Sequence, residues 1–191
     1  MDVSLELLHD EAYYYQTIIG VMRWTVKLGR VDITVEVSML SAFLSMPRKE
    51  HLVAALHIMS YLRVRHNFRL IFDATYTGIN HSKFKEDRNW TAVYGDVEMA
   101  KPLHAPNPLS KEVELRIFVD SDRARDKTNR RSRTGYMIFL NMSMIDWHTK
   151  KQATVEGAVF GADFDAMNHG VEALRGIRYN LRMMGVKISG S

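Results

Sequence analysis

Five carboxylates in the second half of the chain are of the residue types that bind hard divalent cations. They are Asp120, Asp122, Glu156, Asp163 and Asp165. The first two follow an alternating apolar run, as in a strand, and the other three lie at the start of a stretch with helical spacing. Mg²⁺-dependent hydrolysis needs carboxylates from different elements that converge on ions about 3.5–4 Å apart. Spacing alone is a weak signal for such a site.

A basic loop follows the first two carboxylates. Its six cations are Arg123, Arg125, Lys127, Arg130, Arg131 and Arg133. Each phosphate that such a loop neutralises releases counterions, so the loop predicts a salt-sensitive and largely sequence-independent affinity for nucleic acid. The alternative is a solvated turn that binds nothing.

Three strands and one helix position these residues. The strands are predicted at Glu114–Asp120, Gly135–Leu140 and Met144–His148. They form an antiparallel meander, because the connections are too short for helical crossovers, and Asn141 suits a tight hairpin link. A helix is predicted from Glu156 to Met184, with Gly185 as its C-terminal stop. Its expected buried residues are Val159, Phe160, Met167, Val171, Leu174, Tyr179 and Leu181.

The first part of the chain is predicted to be helical, with helices starting near Glu11, Asp32 and Pro47 and a stop for the first at Gly29. The residues at helical spacing that define their faces are Tyr14, Ile18, Val21, Met22, Thr25 and Leu28, then Ile33, Val37, Leu40 and Leu44, then Leu52, Leu56, Met59 and Leu62. Phe68–Phe72 alternates as a short strand would.

Residues 73–111 show no clear periodicity and hold three prolines, which favours a tether between two units. The predicted organisation is therefore a helical segment (1–72), a tether (73–112) and a mixed domain (113–191). The 191 residues include no cysteine, which excludes disulfides and thiolate metal sites. With neither a membrane-length apolar run nor a basic N-terminal leader, the sequence predicts an intracellular protein.

Several motifs in the second half resemble the ribonuclease H domain of Ty1/copia-type retrotransposon polyproteins. They are Phe118–Asp122, Asp126–Leu140, Trp147, Lys150–Val155, Ala162–Phe164 and Ala166-Met167. Upstream motifs are similar to the end of the reverse transcriptase in the same polyproteins. These are Tyr15-Gln16, Ile19-Gly20, Arg30–Ile33, Val37-Ser38, Leu40-Ser41, Pro47, His51 and Tyr61-Leu62. The resemblance covers the chain from about Tyr13 to Val186.

The resemblance implies an α+β chain: a segment like the reverse-transcriptase thumb, followed by an incomplete ribonuclease H-like domain. The parent activity is RNA-directed DNA synthesis with Mg²⁺-dependent cleavage of RNA in RNA–DNA hybrids, so an RNA–DNA hybrid is the expected partner. Asp120 matches the catalytic and metal-binding position on the first strand. Asp163 matches the helix position, where the family pattern has glutamate, and Asp122 and Asp165 are further candidate ligands.

The sequence departs from the family pattern at several points. Arg123-Ala124-Arg125 replaces an aromatic residue or histidine followed by Ala-Gly. The resemblance places the third nuclease carboxylate after Val186 and the polymerase aspartates upstream of Met1. Asp163 is also one methylene shorter than glutamate, a serious change for Mg²⁺ ligands that must sit at ~2.0–2.1 Å.

We therefore expect a polyprotein fragment that binds nucleic acid weakly and does not catalyse cleavage. Two alternatives stay open: a non-catalytic nucleic-acid-binding or protein-interaction module recruited from a retroelement, and residual nuclease activity. We also expect strand 114–120 to expose an edge that favours self-association.

Overall fold

The computed structural model describes residues 4–78, 92, 93, 95, 102–124 and 129–189. These residues form four α-helices and one sheet of three strands. In chain order they are α1 (His9–Lys27), α2 (Thr34–Leu40), α3 (Lys49–Val64), β1 (Leu115–Asp122), β2 (Arg133–Leu140), β3 (Ser143–Lys151) and α4 (Val159–Met183). Two 3₁₀ turns, Val31–Ile33 and Ser41–Phe43, flank α2. The sheet order is β1-β2-β3, so the predicted meander and the α+β class are confirmed.

The chain divides into two compact units, each built from three segments. The first contains Met1–Ile71, Val119–Tyr136 and Trp147–Met167, and the second contains Phe72–Phe118, Met137–Asp146 and Asn168–Ser191. The predicted boundaries at residues 72 and 112 stay a prediction.

The core of the first unit lies among α1, α2 and α3. Its buried residues are Tyr15, Ile18, Ile19, Met22, Val26, Ile33, Val37, Leu40, Ala55 and Ile58. Leu7, Leu44, Leu52, Leu62 and Trp147 pack around them. Trp147 belongs to β3, so the helical segment and this strand share one core.

Two predicted faces need correction. On α1, Tyr14 and Val21 are exposed, as is Leu28 just beyond its end, because the buried face is turned toward Tyr15 and Ile19. The predicted α3 residues Leu56 and Met59 are likewise exposed, and Ala55 and Ile58 are buried instead. Both helices carry apolar residues around much of their circumference, so several faces fit the helical period.

The predicted stop of α1 is confirmed at Gly29, whose φ is 115°. Only glycine adopts this conformation readily, and a Cβ there would also come within 3.3 Å of Leu70 Cδ1. The strand predicted at Phe68–Phe72 is wrong, because no strand forms there. Instead, the Arg30 guanidinium lies over the Phe68 ring at 5.3 Å from its centroid, so the Phe68 ring packs at the end of the helical segment.

In the second unit, the first residues of the predicted tether are bonded to the turn between β2 and β3. The Asp73 N–H donates to Ser143 Oγ at 2.7 Å, and Asn141 Nδ2 donates to the Ala74 carbonyl oxygen at 3.0 Å. Asn141 has a φ of 53°, which confirms it as the link residue of this hairpin.

The predicted long helix is confirmed as α4, with Gly185 beyond its end at a φ of 73°. Its buried face was wrongly predicted. Ala162, Ala166 and Gly170 are buried at four-residue spacing, whereas five of the predicted large residues are exposed. Those five are Val159, Phe160, Met167, Val171 and Tyr179. Small residues let the helix backbone approach its neighbours closely, and the apolar pattern does not reveal this.

β1 is an edge strand of the sheet, as the exposed-edge prediction requires. Just before it, Val113 forms a parallel bridge with Ile188, supported by hydrogen bonds from Val113 N–H to Lys187 and from Ser189 N–H to Val113. Self-association through the remaining edge stays a prediction.

Candidate nucleic-acid site at the end of the first strand

The end of β1 and the start of α4 are joined by a pair of polar side chains. The Ser121 hydroxyl donates a hydrogen bond to Asp163 Oδ1. Ser121 is half-buried and Asp163 is exposed. The structure thus brings the predicted helix carboxylate to the first strand, where its partner is a serine.

The predicted partner of Asp163 was Asp120, the residue before Ser121. Successive side chains of a strand point to opposite faces. Since Ser121 reaches Asp163, the Asp120 side chain lies on the other face of β1, together with the exposed Phe118. The structure therefore does not bring Asp120 and Asp163 together on one face.

The other candidate ligands lie close in sequence to these two. Asp122 shares the Asp120 face by alternation, and Asp165 follows Asp163 by two residues on α4, which turns it away from the Ser121 side. Both are half-buried and make polar or charged contacts of their own. Glu156 Oε1 accepts a hydrogen bond from Thr154 Oγ1 at 2.9 Å, so this carboxylate organises the chain before α4.

These residues do not fit a Mg²⁺ pair. All four candidate aspartates lie within the described residues, and nowhere in that part of the chain do three or more Asp, Glu or His side chains form a group able to hold a metal ion. A two-metal site requires such convergence.

Gln152 positions the start of α4 against the sheet. Its side chain is buried, and Nε2 donates to Thr134 Oγ1 at 3.1 Å and to the Ala162 carbonyl oxygen at 2.9 Å. Its backbone N–H donates to the Ser132 carbonyl oxygen at 2.9 Å. The orientation of Asp163 toward β1 therefore depends on this buried amide.

The four described cations of the basic loop have different surroundings. Arg123 is exposed, and its Nη2 donates to the Gly157 carbonyl oxygen at 2.6 Å. Arg133 is half-buried, and its Nη1 donates to Ser38 Oγ at 2.6 Å. Arg131 is half-buried and Arg130 is exposed. Arg125 and Lys127 lie outside the described residues.

Tight backbone turns shape both ends of the described loop. Ala124 and Arg130 have φ values of 49° and 57°, in the left-handed region that is uncommon for residues other than glycine. The Ala124 N–H donates to Ser132 Oγ at 3.1 Å, and Ser132 is fully buried. These turns leave the Arg123 and Arg130 side chains exposed to solvent.

Ser121, Ser132 and Gln152 were not predicted as site residues from the sequence. For Ser121 a signal was present, because strand alternation separates it from both aspartates that flank it. For Ser132 and Gln152 nothing in the spacing distinguishes a buried hydrogen-bonding residue from a polar loop residue.

Comparison with known proteins identifies two similar transposon proteins. The chain is 26% identical over 175 residues to the retrovirus-related Pol polyprotein from transposon RE1 of Arabidopsis thaliana, covering 92% of this chain and 10% of that protein. It is 26% identical over 152 residues to the corresponding polyprotein from transposon TNT 1-94 of Nicotiana tabacum, covering 80% and 9%. The similarity supports an origin in a retrotransposon polyprotein.

A third relative is not described as a transposon protein. The chain is 25% identical over 141 residues to secreted RxLR effector protein 161 of Plasmopara viticola, covering 74% of this chain and 75% of that protein. The chain spans about one tenth of the length of the two Pol polyproteins. No protein-family model matches it, and no solved structure matches it significantly. Within the described residues, every helix is too short or too polar to cross a membrane.

Proposed function

We propose that this chain is a nucleic-acid-binding module that derives from the reverse transcriptase and ribonuclease H region of a Ty1/copia-type polyprotein and does not cleave RNA. The motif resemblance and the similarity to two Pol polyproteins support the origin. The ribonuclease H-like character of the meander and α4 is part of the same proposal.

One structural observation supports the proposed lack of RNA cleavage. Asp163 accepts a hydrogen bond from Ser121, and alternation along β1 directs Asp120 to the opposite face. Asp163 on α4 meets one face of β1 and Asp120 lies on the other face, so the two carboxylates do not ligate the same ion pair, and the short Asp163 side chain does not span the difference.

Binding is proposed to rest on the exposed cations at the two ends of the loop, Arg123 and Arg130. An RNA–DNA hybrid is recognised through its shape and 2′-hydroxyls, which suits backbone contacts from a turn. Arg133 is less suited to this role, because it is half-buried and its guanidinium donates to Ser38 inside the first unit, whereas Arg123 donates to Gly157 and stays exposed. We expect affinity in the non-specific range, with Kd values of roughly 10⁻⁴–10⁻⁶ M near physiological salt.

The test measures binding of a labelled RNA–DNA hybrid as a function of salt. If one phosphate is contacted by Arg130, Arg130→Ala weakens binding and lowers the slope of log K against log salt by about 1. Arg23→Ala is the control, since it removes the same charge from an exposed position on α1. Equal losses in both variants would show that net charge, and not the loop, governs binding.

A further inference from the structure

A groove runs between α2 and α3 in the first unit. Its residues are distant in sequence from the carboxylates at positions 120–165. Its volume is about 470 Å³, within the range of protein ligand sites. Its lining residues are Glu36, Met39 and Leu40 from α2 and Glu50, Val53, Ala54, His57 and Ile58 from α3. None of them belongs to the carboxylate site or to the basic loop.

The lining residues form one continuous face of each helix. On α3 they recur at three- and four-residue spacing from Glu50 to Ile58, which spans about 12 Å of helix axis. Leu40 and Ile58 form a floor that is at most 9% exposed, whereas Met39 and Val53 are 42% and 60% exposed. The groove therefore combines a fixed floor with apolar walls open to solvent.

Its two acidic residues give the groove a charge. The Glu36 and Glu50 side chains are exposed, and neither has an ion-pair or hydrogen-bond partner within the described part of the chain. Each lies in the first turn of its helix, where a negative charge interacts favourably with the positive end of the helix dipole. An apolar groove with two free carboxylates matches an apolar ligand surface that carries positive charge.

We propose that this groove binds a basic amphipathic helix of a partner protein, about two to three turns long. Such a helix would place apolar residues at i, i+3, i+4 and i+7 against Leu40, Val53 and Ile58, with lysine or arginine beside Glu36 and Glu50. Nucleic acid does not suit this surface, because its phosphates would meet two carboxylates. The groove thus supplies a binding surface opposite in charge to the basic loop.

The experiment uses the full chain and a fluorescent model peptide of about three helical turns, with leucine at the apolar positions and lysine elsewhere. A second peptide carries glutamine in place of lysine. Fluorescence anisotropy is expected to give tighter binding of the lysine peptide. Glu36→Gln combined with Glu50→Gln raises its Kd roughly two- to tenfold and reduces the difference between the peptides.

Substitutions of two valines on α3, one inside the groove and one outside it, test the apolar contribution to peptide binding. Val53→Ser in the groove weakens both peptides, whereas Val64→Ser, at an exposed position beyond the groove on α3, leaves binding unchanged. Thermal unfolding verifies that each variant is folded. Equal binding of the two peptides, or insensitivity to both sets of substitutions, overturns the proposal. A self-association that Val53→Ser abolishes would also overturn it, because the groove would then bind a second copy.

Discussion

Ser38 Oγ accepts a hydrogen bond from Arg133 Nη1 at 2.6 Å and donates one to the Thr149 carbonyl oxygen at 3.2 Å. Ser38 lies on α2, Arg133 on β2 and Thr149 on β3. One hydroxyl therefore links the helical segment to two strands within the first unit, next to a core that already includes Trp147.

Loss of this hydroxyl should weaken the first unit. Ser38→Ala is expected to lower the free energy of unfolding by about 1 kcal/mol, since the substitution removes the hydrogen bonds of Ser38 with Arg133 and with the Thr149 carbonyl oxygen. Urea denaturation measures the change. Ser60→Ala on the exposed face of α3 is the control, because it makes the same change in helix propensity. Equal effects of the two substitutions would show that the Ser38 contacts add nothing.

Tyr15 should make stability depend on pH in the alkaline range. Burial raises the pKa of Tyr15 from 10.0 to about 12, and its hydroxyl donates to the Leu40 carbonyl oxygen at 2.7 Å. Between these values the unfolded chain loses the proton and the folded chain keeps it. The stabilisation is therefore complete below pH 10 and is lost as the pH rises toward 12.

Tyr15→Phe should remove this part of the pH dependence and also lower stability at neutral pH by about 1 kcal/mol through the lost hydrogen bond. Tyr14→Phe, one residue away and 52% exposed, should leave the pH profile unchanged. Chemical denaturation at several pH values compares the three proteins. A profile for Tyr15→Phe that parallels the native one would rule out this origin.

Gln152 should stabilise the contact between α4 and the sheet. Gln152→Ala removes two buried hydrogen bonds, to Thr134 and Ala162. Gln152 Oε1 has no hydrogen-bond partner in the described structure, so the expected decrease in the free energy of unfolding is only about 1–2 kcal/mol. Gln16→Ala, which removes an exposed amide bonded to the Leu44 carbonyl oxygen, should cost less. Hydrogen exchange should become faster near Ala162 only in the first variant.

Asp163→Glu introduces the glutamate that the proposed ribonuclease H resemblance implies at this position. Because Asp120 lies on the opposite face of β1 from the Ser121–Asp163 pair, the longer side chain is expected to produce no Mg²⁺-dependent cleavage. Ser121→Ala is the companion variant, since it frees the carboxylate without lengthening it. Cleavage of an RNA–DNA hybrid by either variant would show that the carboxylates converge after all.

The order of elements was predictable from the sequence because local constraints determine it. Short connections force adjacent strands to be antiparallel, and Gly29, Asn141 and Gly185 all occur at the left-handed positions that end or link elements. The position of Asp163 near β1 likewise followed from the motif resemblance.

Helix faces and side-chain directions were not predictable, because they depend on packing partners distant in sequence. The alternating pattern of Phe68–Phe72 did not produce a strand, because none of the described strands lies beside it to form hydrogen bonds with it. On α4, close approach selected Ala162 and Ala166 over larger apolar residues for burial. Which face of β1 meets α4 depends on how the helix packs on the sheet, so the structure is needed to show that Ser121, and not Asp120, meets Asp163.

The most direct test of the proposed function is cleavage of a labelled RNA–DNA hybrid by the native chain in Mg²⁺ or Mn²⁺, with binding of the same hybrid measured in parallel and Asp120→Asn as the control. The carboxylate geometry and the exposed cations predict salt-sensitive binding without cleavage, identical in the native chain and in Asp120→Asn. Metal-dependent cleavage by the native chain that Asp120→Asn abolishes would contradict the account.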